Sequence, residues 1–264
     1  MQVLADDGTR IDVAVDGRGD DAIVLLAGFS LTHEIWNEQI FALAQTHRVI
    51  RPDLRGMGNS DAPAGPYLMD TLAADVAGVL DACGIERATI VGHSLGGYVS
   101  LAFARMFSER VSRLALVSSR IDADTPEMAQ RRRALADRVE SGASIEPVVD
   151  AYLGALTATE TATARPEIVN DLRRILSSTR PAGAAAMLRG MAERNPSDDI
   201  AGDLAIPVLV VAGAFDALIP LEQARVAADA FPRARLVVCE HSGHMPMLED
   251  PGRVTASLQE LLSE

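Results

Sequence analysis

Short apolar runs alternate along most of the chain with segments whose apolar residues recur at helical spacing. Continuous apolar runs at 23–27, 114–117 and 208–211 are typical of strands buried on both faces of a parallel sheet. A segment with Leu72, Val76 and its apolar neighbours has the spacing of an amphipathic helix. The alternation predicts an α/β protein with a doubly wound, mostly parallel sheet.

Further elements complete this alternation at both ends of the chain. Alternating apolar residues between 3 and 15, with a turn at Asp7 and Gly8, predict a β-hairpin. Shorter runs at 48–50, 88–91 and 236–238 predict more strands of the sheet. Val254, Leu258 and Leu261 predict a closing helix, and Pro220 is expected to open the helix before it.

The alternation stops between Ile121 and Ile206, where no strand-like run occurs. We predict a helical insertion here, with a Thr/Ala-rich turn at 157–163. Its four expected helices lie near 127–140, 145–156, 166–176 and 181–193. An insertion at this place would form a lid over the carboxyl ends of the strands, where ligands bind in such sheets. The predicted division is a core of residues 1–120 and 205–264 and a lid of residues 121–204.

Composition narrows the class of protein. A chain of 264 residues with 48% hydrophobic residues suits one α/β domain with an insertion. The net charge of −13 argues against a nucleic-acid partner. All 24 basic residues are arginine, which excludes Schiff-base chemistry, a Walker P-loop and a Ser–Lys dyad. Cys83 and Cys239 are far apart in the sequence and are expected to be buried, unpaired thiols.

The N-terminal segment has neither a basic region nor an apolar stretch, so we expect no signal peptide. No window of the chain approaches the apolar length of a membrane span. These features predict a soluble, cytoplasmic protein with no membrane partner.

The motif Gly-x-Ser-x-Gly at 92–96 lies between a predicted strand and a predicted helix. A serine hydroxyl needs a base to become a good nucleophile, and it must stand clear of the backbone to meet both base and substrate. A sharp strand-to-helix turn places Ser94 at its apex, and small residues on either side make that turn possible. The context therefore predicts that Ser94 is a catalytic nucleophile.

The base and its orienting carboxylate are expected just past other strands. His241 and His244 follow the run at 236–238, whereas His93, beside Ser94, is expected to pack in the interior. Asp216, which follows the run at 208–211, is the preferred carboxylate, and Asp122 is the alternative. Two histidines three residues apart could suggest a metal, but no third ligand accompanies them, so no metal is predicted.

The order Ser94, Asp216, His244, each after a strand, resembles the α/β-hydrolase fold family over essentially the whole chain. The resemblance implies His244 rather than His241 as the base, and no cofactor. It also implies that the backbone N–H groups of Phe29 and Leu95 form the oxyanion hole.

Two loops depart from the family's usual pattern. The turn 27–28 is Ala-Gly where the family often has His-Gly, and the loop 53–60 has Met57 where His is common. We expect the backbone donor to survive the first change. We expect the second loop to be structural, with Asp53 and Arg55 tying turns together.

Length and lid size resemble the carboxylesterase and 3-oxoadipate enol-lactonase-like members. The implied activity is hydrolysis of a small carboxylic ester or lactone through an acyl-enzyme on Ser94, by a monomer or homodimer. Alternatives on the same triad are a C–C bond hydrolase and a cofactor-free perhydrolase or haloperoxidase. A receptor-like member that binds a ligand with little turnover is a further alternative.

Several apolar and aromatic residues could line an acyl pocket, although helix packing would explain them nearly as well. They are Trp36, Tyr152, Met187, Met191, Leu218 and Met245. The run Arg131-Arg132-Arg133 on a lid helix is expected to form a solvated face rather than an anion site.

Overall fold

An eight-stranded, mostly parallel sheet lies at the centre of the computed structural model, which describes all residues from Met1 to Glu264. Its strands are β1 (Gln2–Leu4), β2 (Arg10–Asp16), β3 (Ala22–Leu26), β4 (Arg48–Pro52), β5 (Ala88–His93), β6 (Val111–Val117), β7 (Val208–Gly213) and β8 (Ala234–Cys239). Their spatial order is β1-β2-β4-β3-β5-β6-β7-β8. The pairs β1–β2 and β2–β4 are antiparallel and every other pair is parallel. The predicted α/β sheet and N-terminal hairpin are confirmed.

The strand register brings five chain segments to one edge of the sheet. Leu26 at the end of β3 pairs with Gly92 of β5, and His93 of β5 pairs with Val117 of β6. On the other side, Gly213 of β7 pairs with Cys239 of β8. The loops that follow β3, β5, β6, β7 and β8 therefore leave the sheet side by side.

Helices outside the segment between β6 and β7, the expected lid, pack beside the sheet. They are α1 (Asn37–Leu43), α2 (Met69–Ala82), α3 (Leu95–Met106), α10 (Leu221–Ala230), α11 (Pro246–Glu249) and α12 (Pro251–Leu262). Helix α2 packs against α3, and α1 packs against α12. Two single turns of 3₁₀ helix, His33–Trp36 and Ser108–Arg110, complete these connections.

Six helices, rather than the four predicted, lie between β6 and β7. They are α4 (Pro126–Gly142), α5 (Glu146–Leu156), α6 (Thr159–Ala164), α7 (Pro166–Ser178), α8 (Pro181–Ala192) and α9 (Asp198–Ala201). Helix α4 packs along α8, and α5 packs along α7. No strand occurs in this segment, as the pattern predicted.

The Thr/Ala-rich turn predicted at 157–163 is wrong in part, because α6 occupies most of it. Threonine has a modest helix propensity, so the sequence alone favours a turn. Contacts at both ends of the segment compensate for that propensity. The Ala158 N–H donates to the Glu249 carboxylate at 2.9 Å, and the Arg165 guanidinium donates to the Glu249 carbonyl at 2.6 Å.

Further predictions concern the two cysteines, the helix after Pro220 and membrane-spanning segments. Cys83 and Cys239 are buried free thiols, as predicted. The helix after β7 begins at Leu221, directly behind Pro220, also as predicted. None of the helices is both long enough and apolar enough to cross a bilayer.

Candidate active site

Ser94 occupies the turn between β5 and α3 with φ 51° and ψ −115°, a conformation that residues other than glycine rarely adopt. Hydrogen bonds to the neighbouring strand hold this turn. The Ser94 N–H donates to the Val117 carbonyl at 2.9 Å, and the Ser119 hydroxyl donates to the Ser94 carbonyl at 2.9 Å. The side chain remains partly exposed at the apex. The geometry is that of a nucleophile elbow.

The two glycines of the motif are required by close backbone approach. A Cβ atom at Gly92 would lie 2.2 Å from the Gly96 carbonyl oxygen. A Cβ atom at Gly96 would lie 2.6 Å from the Leu26 carbonyl oxygen, on the neighbouring strand. Neither position has room for a side chain, so the spacing Gly-x-Ser-x-Gly follows directly from the tight turn.

His244 and Asp216 form a buried pair on the loops after β8 and β7. The distance between His244 Nδ1 and Asp216 Oδ2 is 2.8 Å, and both side chains are almost fully buried. The other carboxylate oxygen of Asp216 accepts from the N–H groups of Leu218 and Ile219, at 2.8 and 2.9 Å. These bonds fix the carboxylate against the imidazole, the arrangement that orients a catalytic histidine.

The surroundings of Asp216 keep it ionised. Burial alone would raise the pKa of its carboxyl group. Electrostatic attraction to the His244 imidazole and the hydrogen bond with it, together with the two backbone N–H donors, outweigh burial and hold the pKa of Asp216 below its usual range. A negative charge therefore faces Nδ1 of His244, which leaves Nε2 available for proton transfer.

The loop that carries His244 is anchored by Glu249, a residue that sequence reasoning missed. The Glu249 carboxylate is buried and accepts from the N–H groups of Gly243 at 2.8 Å and Met245 at 3.2 Å. Its second oxygen accepts from Ala158 in the lid. A glutamate normally predicts a surface position, so the sequence carried no signal for this role.

His93 is completely buried beside His244, which confirms its predicted place in the interior. Its Nε2 lies 2.9 Å from the His244 carbonyl oxygen, so Nε2 carries the hydrogen of this bond. Burial, and next electrostatic interaction with the His244 imidazole, lower the pKa of His93 to about 3. The ring is therefore neutral, and it supports the backbone of His244.

Two backbone N–H groups face no acceptor in the protein where the oxyanion hole is expected. Those of Phe29, after β3, and Leu95, at the start of α3, donate to no protein group. Gly28 brings the first loop close, because a Cβ atom there would lie 2.6 Å from His93 Nδ1. Backbone donors left free beside a nucleophile can stabilise a developing oxyanion.

The loop 53–60 is structural, as predicted. The Asp53 carboxylate accepts from the His33 N–H at 2.8 Å and from the Asn59 N–H at 3.2 Å. The Arg55 guanidinium donates twice to Asp75, each time at 2.6 Å. These bonds tie the loop to the turn after β3 and to α2.

A cavity of about 470 Å³ opens at Ser94, between the sheet edge and the lid. Tyr152, Met191 and Leu218, three of the six residues predicted for the pocket, line it together with Phe29. Its volume lies in the range of small-molecule sites.

Trp36, Met187 and Met245 do not line this cavity, which corrects the predicted pocket. All three are fully buried members of the hydrophobic core. The pattern of apolar residues shows which positions are buried, but it does not separate core packing from a cavity wall.

The arginine run on α4 does not form a uniformly solvated face, which corrects another expectation. Arg133 is exposed, but Arg131 and Arg132 line the cavity, together with Arg120 and Arg138. Arg132 donates to the buried Asp124 carboxylate at 2.5 Å, as does Arg120. The cavity wall is therefore rich in positive charge.

The alternative candidates for base and carboxylate lie elsewhere. The His241 side chain is 84% exposed, and its nearest acidic group is Glu160 at 3.7 Å. Asp122 contacts neither histidine, and its carbonyl accepts from Arg194. No group of three or more His, Cys, Asp or Glu side chains is arranged to hold a metal ion.

Comparison with known proteins agrees with this architecture. The profile of the α/β-hydrolase fold matches residues 21–251, so the chain belongs to the α/β-hydrolase family. An esterase from Thermogutta terrifontis is 33% identical with a TM-score of 0.94, over 100% of this chain and 97% of that one. An enol-lactonase from Burkholderia xenovorans LB400 is 28% identical with a TM-score of 0.92, over 100% of both chains. A 2-hydroxymuconate semialdehyde hydrolase from Pseudomonas putida is 33% identical, over 85% of this chain and 80% of that protein.

Proposed function

We propose that the protein is a serine hydrolase that cleaves a small carboxylic ester or lactone through an acyl-enzyme on Ser94. The observation that carries this proposal is the meeting of two features at one sheet edge. Ser94 stands at a strained elbow after β5, with free backbone donors beside it, and the buried His244–Asp216 pair lies on the loops after β8 and β7. These parallel strands end at the same edge of the sheet, and His93, the residue before Ser94, bonds to the His244 carbonyl at 2.9 Å.

The reaction follows from the roles of these groups. Nε2 of His244 takes the proton of the Ser94 hydroxyl as its oxygen attacks the substrate carbonyl. The N–H groups of Phe29 and Leu95 hold the oxyanion, an interaction worth about 3 kcal/mol for each donor. Asp216 stabilises the imidazolium, which then protonates the leaving alkoxide. Water, activated by the same His244, hydrolyses the acyl-enzyme, and no cofactor takes part.

The similarity to an esterase and an enol-lactonase supports ester or lactone chemistry. The similarity to a hydrolase of 2-hydroxymuconate semialdehyde favours a second candidate, hydrolysis of a C–C bond on the same triad. Product analysis separates the two. An ester hydrolase releases alcohol and acid from an ester and leaves a matched β-diketone intact, whereas a C–C hydrolase cleaves the diketone.

The test is turnover of a short p-nitrophenyl ester by the wild type, Ser94→Ala and His244→Ala. We expect kcat to fall by about 10⁴-fold or more in both variants, because neither partner of the proton transfer works alone. His241→Ala is the matched control, since this exposed histidine lies three residues from the base, and it should retain full turnover. Full turnover by Ser94→Ala would exclude the proposed mechanism. Ligand binding by the wild type without turnover would favour the receptor-like alternative.

A further inference from the structure

We propose that the arginines of the cavity wall form a subsite for a substrate carboxylate, so that the preferred substrate is an ester or lactone with an anionic end. Hydrolysis of such a substrate depends on the function proposed above. Binding of a carboxylate by these arginines does not depend on it. The chain as a whole has a net charge of −13, which would repel an anion. A preference for anionic substrates must therefore come from the arginines of the cavity.

The charges around the cavity are unbalanced. Four guanidinium groups line it, and no carboxylate does. Behind the wall, the Asp124 carboxylate is shared by Arg120 and Arg132 at 2.5 Å each and by Arg194 at 3.6 Å. One carboxylate thus faces three guanidinium groups, all of them mostly buried. Buried charges without a partner are unfavourable unless a ligand supplies the opposite charge.

Arg120 keeps unused hydrogen-bonding capacity in this cluster. Its side chain is only 4% exposed. One terminal nitrogen donates to Asp124, the other meets only the Met128 sulfur at 3.8 Å, and Nε has no partner. A planar guanidinium with free N–H groups is suited to bind a carboxylate through paired hydrogen bonds.

The position of Arg120 connects the subsite to the nucleophile. It directly follows Ser119, whose hydroxyl donates to the Ser94 carbonyl. Arg120 and Ser94 both line the same cavity. A substrate that places its carbonyl at Ser94 can therefore reach Arg120 with a group a few atoms away.

Arg131 and Arg138 extend the positive charge toward solvent. They lie two turns apart on α4, both are exposed, and neither forms an ion pair. Positive charge at the mouth of a cleft attracts anions and raises their local concentration. The rest of the wall is mainly hydrophobic. The arginines and the hydrophobic wall together suit a ligand with an apolar chain that carries one carboxylate.

The test compares mono-p-nitrophenyl glutarate with p-nitrophenyl pentanoate, after subtraction of uncatalysed hydrolysis. The two acyl groups have five carbons each and differ in a terminal carboxylate. We expect kcat/KM to be about tenfold higher for the anionic ester, as for a charge-assisted hydrogen bond. Added salt should reduce this preference.

Variants assign the preference to the arginines. Arg120→Gln and Arg131→Gln should lower the ratio of the two kcat/KM values, whereas Arg133→Gln, the exposed neighbour in the same run, should leave it unchanged. If Arg120→Gln fails to fold, Arg131→Gln still tests the subsite, because Arg131 is exposed and its replacement does not disturb the core. Equal or better turnover of the neutral ester, with a ratio that no variant changes, would overturn the subsite and leave the proposed hydrolase intact.

A binding measurement covers the case in which neither ester is turned over. Free glutarate should raise the Tm of Ser94→Ala more than neutral pentanamide does, and adding Arg120→Gln or Arg131→Gln should reduce that difference. Such a result would support the carboxylate subsite while excluding the proposed reaction. Equal Tm shifts with both compounds would overturn the subsite whatever the activity.

Discussion

The sheet edge and the lid wall enclose the same cavity but are built differently. At the sheet edge, backbone bonds hold the groups of the proposed mechanism: Ser94 to Val117, and the Asp216 carboxylate to the N–H groups of Leu218 and Ile219. Among the arginines of the cavity, exposed Arg131 on α4 forms no ion pair, and Arg120, in the loop between β6 and α4, retains an unpartnered Nε. The backbone bonds hold the first region in one arrangement, whereas the second region leaves hydrogen-bonding capacity for a ligand.

This difference separates two kinds of variant. A change at the sheet edge should lower the turnover of every substrate, because it alters the groups that act on the carbonyl. A change on the lid wall should alter the ratio between substrates. Three further variants test residues at the sheet edge and on its loops.

The largest of these effects is expected for Asp216→Asn. An amide keeps the shape of the side chain but favours the wrong tautomer of His244, so kcat should fall by about 10³- to 10⁴-fold for neutral and anionic esters alike. Steady-state kinetics with both esters measure it. Asp122→Asn is the control, and a larger loss in that variant than in Asp216→Asn would mean that the orienting carboxylate has been wrongly assigned.

Glu249→Gln tests the connection between the two regions. The Glu249 carboxylate joins the His244 loop to Ala158 of the lid, and an amide replaces one of its acceptor oxygens by a donor. A small displacement of the base should lower kcat by about ten- to a hundredfold without changing the preference between esters. Glu222→Gln, on the exposed surface of α10, should retain wild-type kinetics. A changed preference in Glu249→Gln would show that the loop also shapes the subsite.

The last effect concerns stability rather than turnover. The pKa of His93 is about 3 in the folded protein, well below its value of about 6.5 in an unfolded chain. The unfolded state therefore binds more protons between these values. Stability from this residue is complete above pH ~6.5 and is lost as the pH falls toward ~3, by up to about 1.4 kcal/mol per pH unit.

Urea unfolding across this pH range measures the contribution of His93. His93→Gln should show a shallower loss of stability on acidification than the wild type, even if it is less stable at neutral pH. His241→Gln changes an exposed histidine and should keep the wild-type slope. Identical slopes in the wild type and His93→Gln would contradict a neutral, buried His93.

The sequence predicted the parallel sheet well because its strands are continuous apolar runs that few other structures produce. The position of Ser94 could also be predicted, since its two glycines are required by backbone contacts of 2.2 and 2.6 Å. Local constraints of this kind limit which residues can occupy a position, so they can be recognised in the sequence. The assignments of His244 and Asp216 used the order of residues after strands, which is a weaker signal.

The lid wall could not be predicted in the same way. A charge on a helix usually faces solvent, so nothing in the run 131–133 distinguishes cavity-lining Arg132 from exposed Arg133. The same limit applies to Met187 and Met191, which share one helix while only Met191 lines the cavity. Helix α6 depends on its contacts with Glu249, across a separation of about ninety residues. These features depend on tertiary packing rather than on local sequence.

Covalent labelling shows whether Ser94 is an activated nucleophile. The protein would be treated with a fluorophosphonate probe, digested, and the modified peptide identified by mass spectrometry, with Ser94→Ala and Asp216→Asn in parallel. We expect one adduct, on Ser94, that is absent in Ser94→Ala and forms much more slowly in Asp216→Asn. No adduct on the wild type, or an adduct on another serine that persists in Ser94→Ala, would contradict the assignment of Ser94 as the nucleophile.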